Sequence, residues 1–218
     1  MAIRAVAFDL DYTLAIPERD RQTLLNEASE AVDGPTLSRE AYLDAHRRNL
    51  TNRTREPIFE DLLADHDTDA SAGALADTYR DAITDAIVPV AGAEALAREL
   101  REEYRVGLLT DGPVRAQRAK LDALGWEDLF DAVVITGSLE AGKPDACAFR
   151  AELDALGTTA DETVYVGDSA ELDVAGAHAA GLRAIHVLSN GAASPAADAA
   201  IERDALAERL PGVVAELD

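Results

Sequence analysis

Carboxylate and hydroxyl side chains follow three apolar runs of this chain, each at the point where the run ends. These residues are Asp9 and Asp11 after Phe8, Thr110 with Asp111 and Gly112 after Leu109, and Asp168 with Asp173 after Val166, and Lys143 stands in a separate Gly-Lys-Pro sequence. If the runs are parallel strands of one sheet, their carboxyl ends share an edge and the polar groups converge there. Crowded carboxylates repel one another unless a cation neutralises them. Oxygen ligands without His or Cys suit a hard ion, so these clusters predict a Mg²⁺ site.

The elements that must position these groups can be predicted from periodicity. Five short apolar runs rich in β-branched residues predict strands, at 3–8, 105–110, 132–136, 163–166 and 183–188. Helical patterns lie between them, and glycines follow several of these patterns where a helix C-cap belongs. Alternation of strands and helices predicts an α/β fold with a doubly wound, Rossmann-like parallel sheet covered on both faces. The tail around 199–210 is expected to form one or two short helices.

One long segment interrupts this alternation. Residues 15–89 contain no convincing strand, and helical periodicity appears at 19–32, 39–50, 57–65 and 72–87. The sequence therefore predicts an all-helical cap domain at 15–89, inserted into a core domain of 1–14 and 90–218. Because ligands of open parallel sheets bind beyond the carboxyl ends of the strands, an insert at the end of the first strand is placed to cover the site.

The composition excludes several classes of protein. The 218 residues include 42 acidic and 20 basic side chains, for a formal net charge of −22. A surface this acidic does not suit nucleic acid or an anionic membrane, and the 48% hydrophobic content argues against disorder. Only two of the basic residues are lysines, Lys120 and Lys143. Acid excess with scarce lysine favours a salt-adapted organism, since molar salt screens surface repulsion; an ordinary acidic cytosolic protein is the alternative.

The remaining compositional signals concern compartment and assembly. A single cysteine, Cys147, excludes an intramolecular disulfide. No apolar run approaches the length of a membrane span, and the N-terminus lacks the pattern of a secretion signal. We expect a cytoplasmic protein, a monomer or homodimer, whose partner is a small molecule.

The polar clusters, taken in order, resemble the four motifs of the haloacid-dehalogenase-like (HAD) hydrolase superfamily. The stretch from Phe8 to Leu14 resembles the first motif, Asp-x-Asp-x-Thr after a hydrophobic strand. Thr110 resembles the second motif, Lys143 the third, and Gly167-Asp168-Ser169 through Asp173 the fourth. The helical insert is similar to a type-one cap. The resemblance covers most of the chain and implies the phosphatase branch of the family.

The resemblance implies a role for each carboxylate. Asp9 would attack phosphorus and form an aspartyl-phosphate, and Asp11 would act as general acid and then as general base. Residues two apart on an extended chain point to opposite faces, so the chain must turn after Asp9. Mg²⁺ would be held by Asp9, the backbone carbonyl of Asp11, and Asp168. The alternative is that Asp9 and Asp11 are acidic residues at a strand end with no catalytic role.

The other motif residues are expected to bind the phosphoryl group or to support it. Thr110 and the backbone N–H groups of Asp111 and Gly112 would bind phosphoryl oxygens, and Lys143 would offset the charge of Asp9 and the substrate. Asp173 would orient Lys143 or a metal-bound water. The alternatives are that Thr110 caps the following helix, that Lys143 is a surface lysine, and that Asp173 is a helix-surface acid.

Two questions stay open at this point. An aspartate at position 11 implies a phosphatase or a phosphomutase rather than a dehalogenase, and a non-catalytic phosphate sensor is a third possibility. The segment 46–55 carries Arg47, Arg48, Arg53 and Arg55. These arginines either bind a second anionic group of the substrate or pair with surface acids; Arg115 is ambiguous in the same way.

Overall fold

The computed structural model describes residues 2–218. In chain order the strands and helices are β1 (Ala5–Phe8), β2 (Ala15–Pro17), α1 (Arg21–Glu30), α2 (Arg39–Arg48), α3 (Glu56–Leu63), α4 (Ala72–Ala86), β3 (Ile87–Pro89), α5 (Ala93–Leu100), β4 (Arg105–Thr110), α6 (Val114–Leu124), β5 (Ala132–Ile135), α7 (Ala146–Leu156), β6 (Thr163–Gly167), α8 (Gly176–Ala179), β7 (Arg183–Leu188), β8 (Ala199–Glu202) and α9 (Leu206–Leu217). A short π-helix, Ala170–Ala175, precedes α8. No helix within residues 2–218 is both long and apolar enough to cross a membrane.

Six of the strands form one parallel sheet in the order β5-β4-β1-β6-β7-β8. The central strand β1 is buried on both faces, as its unbroken apolar sequence requires. Val6 and Phe8 pack into the core cluster that contains Leu96 of α5, whereas Ala7 packs into the opposite cluster with Phe149 of α7. Alternate residues of β1 thus pack against helices on the two faces of the sheet. The predicted doubly wound α/β fold is confirmed.

The five predicted strands are all present, but the end of the chain differs from the expectation. Residues 199–202 form β8, the sixth strand of the sheet, which runs parallel to β7. The last α-helix, α9, begins only at Leu206. The alanine-rich composition of this segment favours helix locally. Pairing with β7 and the complete burial of Ile201 override that preference. An argument from helix propensity alone does not take these tertiary contacts into account.

The helices α1 to α4, which we call the helical unit (Arg21–Ala86), have a hydrophobic core of their own. Its members include Leu24, Phe59 and Tyr79, and they form a cluster separate from the two that cover the sheet. The unit joins the rest of the chain through β2 and β3, which pair antiparallel where the chain leaves and returns. These three-residue strands lie inside the segment expected to contain no strand. Periodicity does not reveal them, because each is too short to show a repeat and pairs only with a distant segment.

Candidate active site

The first two aspartates lie where the chain leaves β1. The Asp9 N–H still donates to the Val166 carbonyl of β6 at 2.9 Å, so Asp9 ends the strand. The chain then turns: the Leu10 carbonyl accepts from the N–H groups of Leu14 and Ala15, each at 3.0 Å, and Tyr12 adopts a left-handed φ of 64°. This turn brings Asp11 back to the cavity that Asp9 lines.

Lys143 is bound between two carboxylates beneath this turn. Its Nζ donates to Asp9 Oδ1 at 2.7 Å, to Asp173 Oδ1 at 2.7 Å and to the Tyr165 hydroxyl at 3.0 Å. The residue is only 4% exposed, which excludes the surface-lysine alternative. Burial works against the charged ammonium, but Asp173 and Asp9 outweigh it and raise the pKa of Lys143. A permanent positive charge therefore lies beside Asp9.

Three carboxylates meet at this edge of the sheet. Asp9, Asp168 and Asp173 each present an oxygen within 4.8 Å of the others. Burial, followed by repulsion from Asp173, raises the pKa of Asp168 to about 7. Burial also raises the pKa of Asp9, and although Lys143 opposes this, Asp173 and Asp168 add to the rise. Oxygen ligands that repel one another fit a divalent cation, which would remove the repulsion.

Within this cluster the carboxylates are not equivalent. Asp173 is 1% exposed and already accepts from Lys143 and, through Oδ2, from the Ser169 N–H at 2.9 Å. It is therefore not a helix-surface acid, and it holds Lys143 against Asp9. Both oxygens of Asp173 are thus engaged, whereas Asp9 Oδ2 accepts only a long contact of 3.4 Å from the Thr13 hydroxyl. Asp9 and Asp168 therefore stay the predicted metal ligands. The predicted contribution of the Asp11 backbone carbonyl stays a prediction.

The Asp11 carboxylate faces cations rather than the other aspartates. Arg21 Nη2 donates to its Oδ1 at 2.9 Å, and Lys120 Nζ and Gln117 Nε2 donate to its Oδ2. Burial alone would raise the pKa of Asp11, but Lys120 and Arg21 lower it well below its usual range. This arrangement keeps Asp11 ionised and lowers its affinity for a proton. To donate one, Asp11 must lose part of its contact with these cations.

Arg21 and Lys120 both contact Asp11 in the cavity, and the sequence analysis assigned neither of them to the site. For Lys120 a signal existed: both lysines of the chain line this cavity, each bound to one of the two aspartates of the first motif. Arg21 carried no signal, because its contact with Asp11 depends on how the helical unit sits on the sheet.

Thr110 ends β4 and is fully buried. Its Oγ1 accepts from Gln117 Nε2 at 2.7 Å, and α6 has no side-chain cap, so Thr110 does not cap that helix. Asp111 Oδ1 accepts from the Lys143 N–H at 3.0 Å and thereby fixes the Lys143 backbone. The Gly112 N–H donates to Thr136 Oγ1 at 3.1 Å, so its contact with a phosphoryl oxygen stays a prediction.

The helical unit supplies the other wall of a cavity of about 290 Å³. Its lining from this unit includes Arg21, Arg39, Tyr42, His46, Arg55 and Tyr79. Of the four arginines in the segment 46–55, Arg55 alone lines this cavity. Arg47 pairs with Asp44 and Arg48 with Asp61 on the surface, and Arg53 lines a separate surface groove. Arg115 pairs with Asp77 at 3.1 Å, also outside the cavity.

Comparison with known proteins agrees with this geometry. A family model described as haloacid dehalogenase-like hydrolase matches residues 3–181. Phosphoglycolate phosphatase of Cereibacter sphaeroides is 48% identical over 93 residues, which is 42% of this chain and 41% of that protein. Phosphoserine phosphatase of Thermus thermophilus is 43% identical over 96 residues, 45% of this chain and 40% of that protein. The chain thus matches about two fifths of the length of these curated relatives.

Likeness to solved structures extends over nearly the whole chain. The crystal structure of a HAD phosphatase from Thermococcus onnurineus superposes with a TM-score of 0.71 at 26% identity, covering 97% of this chain and 98% of that one. The fold described above is therefore shared from end to end, helical unit included.

Proposed function

This chain belongs to the haloacid dehalogenase-like hydrolase family, and we propose that it is a Mg²⁺-dependent phosphatase of small phosphorylated metabolites. The observation that carries the proposal is the pairing of each first-motif aspartate with its own lysine in one cavity: Asp9 with Lys143, and Asp11 with Lys120. One carboxylate is placed to attack beside a fixed cation, and the other is placed to exchange a proton.

In the first half-reaction an Asp9 carboxylate oxygen attacks phosphorus. The bond from oxygen to phosphorus forms as the bond from phosphorus to the alcohol oxygen breaks, and the leaving oxygen takes a proton from Asp11. Lys143 and Thr110 stabilise the negative charge that is redistributed over the phosphoryl oxygens. The product of this step is the free alcohol and a phosphorylated Asp9.

In the second half-reaction water attacks the phosphorus of the phosphorylated Asp9. Asp11, now a carboxylate, takes the proton from the water, and the bond between Asp9 and phosphorus breaks to release inorganic phosphate. Both side chains return to their starting states. The contacts of Asp11 with Lys120 and Arg21 keep it in the ionised form that this half-reaction starts from, and they also make that carboxylate a weaker base.

A divalent ion would be held by Asp9 and Asp168, with the Asp11 backbone carbonyl as a further ligand. When bound, it would supply positive charge against the phosphoryl oxygens and against the two carboxylates. Asp173 would keep Lys143 in place beside it, since it already accepts from that ammonium at 2.7 Å. Mg²⁺ suits this all-oxygen set.

The test is phosphate release from a generic aryl phosphate in molar KCl with Mg²⁺. We expect turnover that EDTA abolishes and that Asp9→Asn reduces by about 10³-fold or more. Asp154→Asn, an exposed residue of α7, is the matched control and should leave turnover unchanged. Phosphate transfer between sugar hydroxyls without release would identify a phosphomutase. Absence of turnover on any phosphomonoester, with phosphate still bound, would identify a sensor, and either result overturns the proposal.

A further inference from the structure

Two arginines of the helical unit lack a carboxylate partner inside the cavity. Arg55 is 7% exposed, its Nε donates to the Tyr42 hydroxyl at 3.1 Å, and its Nη1 has no hydrogen-bond partner among residues 2–218. The guanidinium of Arg39 lies over the Tyr42 ring at 4.9 Å, and its Nη1 is likewise buried without a partner. Both guanidinium groups are thus arranged around one tyrosine.

Burial sets these two residues apart from the other arginines near them. Arg47, Arg48 and Arg115 pair with acids at the surface, and Arg53 is exposed to solvent, which hydrates a guanidinium that has no acid beside it. Burying a guanidinium without a counter-charge is unfavourable unless a ligand supplies that charge. The absence of a pairing acid at Arg39 and Arg55 is therefore a property of the cavity.

The neighbouring side chains of Tyr79 and His46 add polar groups and no negative charge. The Tyr79 hydroxyl is buried and has no partner within residues 2–218, and burial raises its pKa to about 12, so it remains a hydrogen-bond donor. His46 stacks on Tyr42 and lies against Gly112, and burial, with Arg55 and Lys120 nearby, lowers its pKa to about 3. His46 is therefore a neutral group that lies near the arginines and against Gly112, in the loop that follows β4.

The cavity consequently has two ends of different charge. Asp9 and Asp168 stand at the sheet end, where a divalent ion and the phosphoryl group would bind. At the other end Arg21 is matched by Asp11, whereas Arg39 and Arg55 are not. Both ends belong to one cavity of about 290 Å³, so one small molecule can contact both.

We infer that the substrate carries a second anionic group, a carboxylate or a second phosphate, on the alcohol part, and that Arg39 and Arg55 bind it with the Tyr79 hydroxyl. This inference rests on the proposed phosphatase function and narrows its substrate class to phosphomonoesters that carry a second anionic group. Guanidinium groups match planar or tetrahedral oxyanions through paired N–H donors, and a phenol hydroxyl adds one more.

The experiment compares three probes that differ only in the second group: ethyl phosphate, 2-phosphoglycolate and ethane-1,2-diyl bisphosphate. Wild-type kcat/KM should be higher for one of the charged probes than for ethyl phosphate by about 10- to 100-fold, and which probe is preferred identifies the anion. Arg39→Gln and Arg55→Gln should remove most of that preference and change kcat/KM for ethyl phosphate by less than about threefold. Arg48→Gln, on the surface of the same helical unit, is the matched control.

The outcomes separate the two proposals. Equal kcat/KM for all three probes, or equal losses on all three in Arg39→Gln, overturns the second-anion inference and leaves the phosphatase function intact. No phosphate release from any probe overturns the phosphatase function. In that case calorimetric titration of Asp9→Asn with all three probes still tests the inference, because equal affinities for the three would contradict it. Since Arg39 is half-buried rather than fully buried, its variant remains informative if Arg55→Gln fails to fold.

Discussion

Lys120 of α6 contacts the Oδ2 atom of Asp11, so the carboxylate expected to transfer protons is bound by one of the chain's two lysines. The same carboxylate contacts Arg21 of α1 through Oδ1 at 2.9 Å. Two cations from different parts of the molecule therefore keep Asp11 ionised. Asp9 is only two residues away, yet burial and the repulsion from Asp173 and Asp168 outweigh Lys143 and raise its pKa. The geometry thus separates the two carboxylates by charge environment. A divalent ion bound at Asp9 and Asp168 would lower the pKa of Asp9, as its proposed role of nucleophile requires.

The first prediction concerns this contact. Lys120→Met removes a cation that lowers the pKa of Asp11, so that pKa rises. Hydrolysis of the phosphorylated Asp9 needs Asp11 as a carboxylate, so with a substrate for which that step limits kcat, the acidic limb of the kcat profile should move to higher pH by about one to three units. Lys120→Arg keeps the charge and should leave the limb near its original position. An acidic limb that does not move in Lys120→Met would show that Asp11 does not control it.

The second prediction concerns metal binding. Because Asp168 is repelled by its carboxylate neighbours, Asp168→Asn should be at least as stable as the wild type in EDTA. Saturating Mg²⁺, at about 100 times Kd, should stabilise the wild type by about 2.7 kcal/mol, seen as a rise in Tm of several degrees. In Asp168→Asn most of that rise should be lost, whereas Asp154→Asn should retain it. A rise of equal size in Asp168→Asn would exclude Asp168 as a ligand.

The third prediction concerns a carboxyl outside the site. Glu152 of α7 is 2% exposed, lies against Gly107 of β4, and has no hydrogen-bond partner for either oxygen among residues 2–218. A side chain at position 107 would collide with it, since a Cβ there would lie 1.9 Å from Glu152 Oε1. Burial raises the pKa of Glu152 to about 8, so the folded protein holds its proton where the unfolded chain, near 4.5, has released it.

The sign of this effect follows from the proton balance. Between pH 4.5 and about 8 the folded state binds one more proton at Glu152 than the unfolded state does. The free energy of unfolding should therefore decrease with rising pH by up to about 1.4 kcal/mol per unit from this group. In Glu152→Gln that contribution is absent, and urea unfolding from pH 5 to 8 should give a shallower decline than in the wild type. Parallel declines would show that Glu152 is already ionised in the folded state.

The fourth prediction concerns salt. The formal charge of −22 destabilises the folded state by self-repulsion and opposes the approach of an anionic substrate. The Debye length falls from about 10 Å at 0.1 M salt to about 3 Å at 1 M, so molar KCl screens both effects. We expect Tm and kcat/KM to be lower in 0.1 M than in 2 M KCl, with kcat/KM lower by about tenfold or more. Full activity and an unchanged Tm in dilute buffer would contradict the predicted salt adaptation.

The parts of this molecule that could be predicted from sequence are those determined locally. The unbroken apolar run of β1 predicted a buried strand. The polar residues at the ends of such runs predicted the edge of the sheet where Asp9, Lys143 and Asp168 meet. The edge strand β8 and the β2–β3 pair were not predicted, since both depend on pairing between distant segments. Arg21 was missed for the same reason: its contact with Asp11 exists only once the helical unit has docked.

The β2–β3 pair carries both chain connections between the helical unit and the sheet. Asp11, which lies just before β2, takes one counter-charge from each side of that junction: Arg21 from the helical unit, and Lys120 from α6 beside the sheet. Any separation of the two parts of the molecule would withdraw Arg21 and leave Asp11 with half of its compensating charge. The proton affinity of Asp11 thus depends on whether the helical unit lies against the sheet. Separation of the two would raise the pKa of Asp11 as well as open the cavity to solvent.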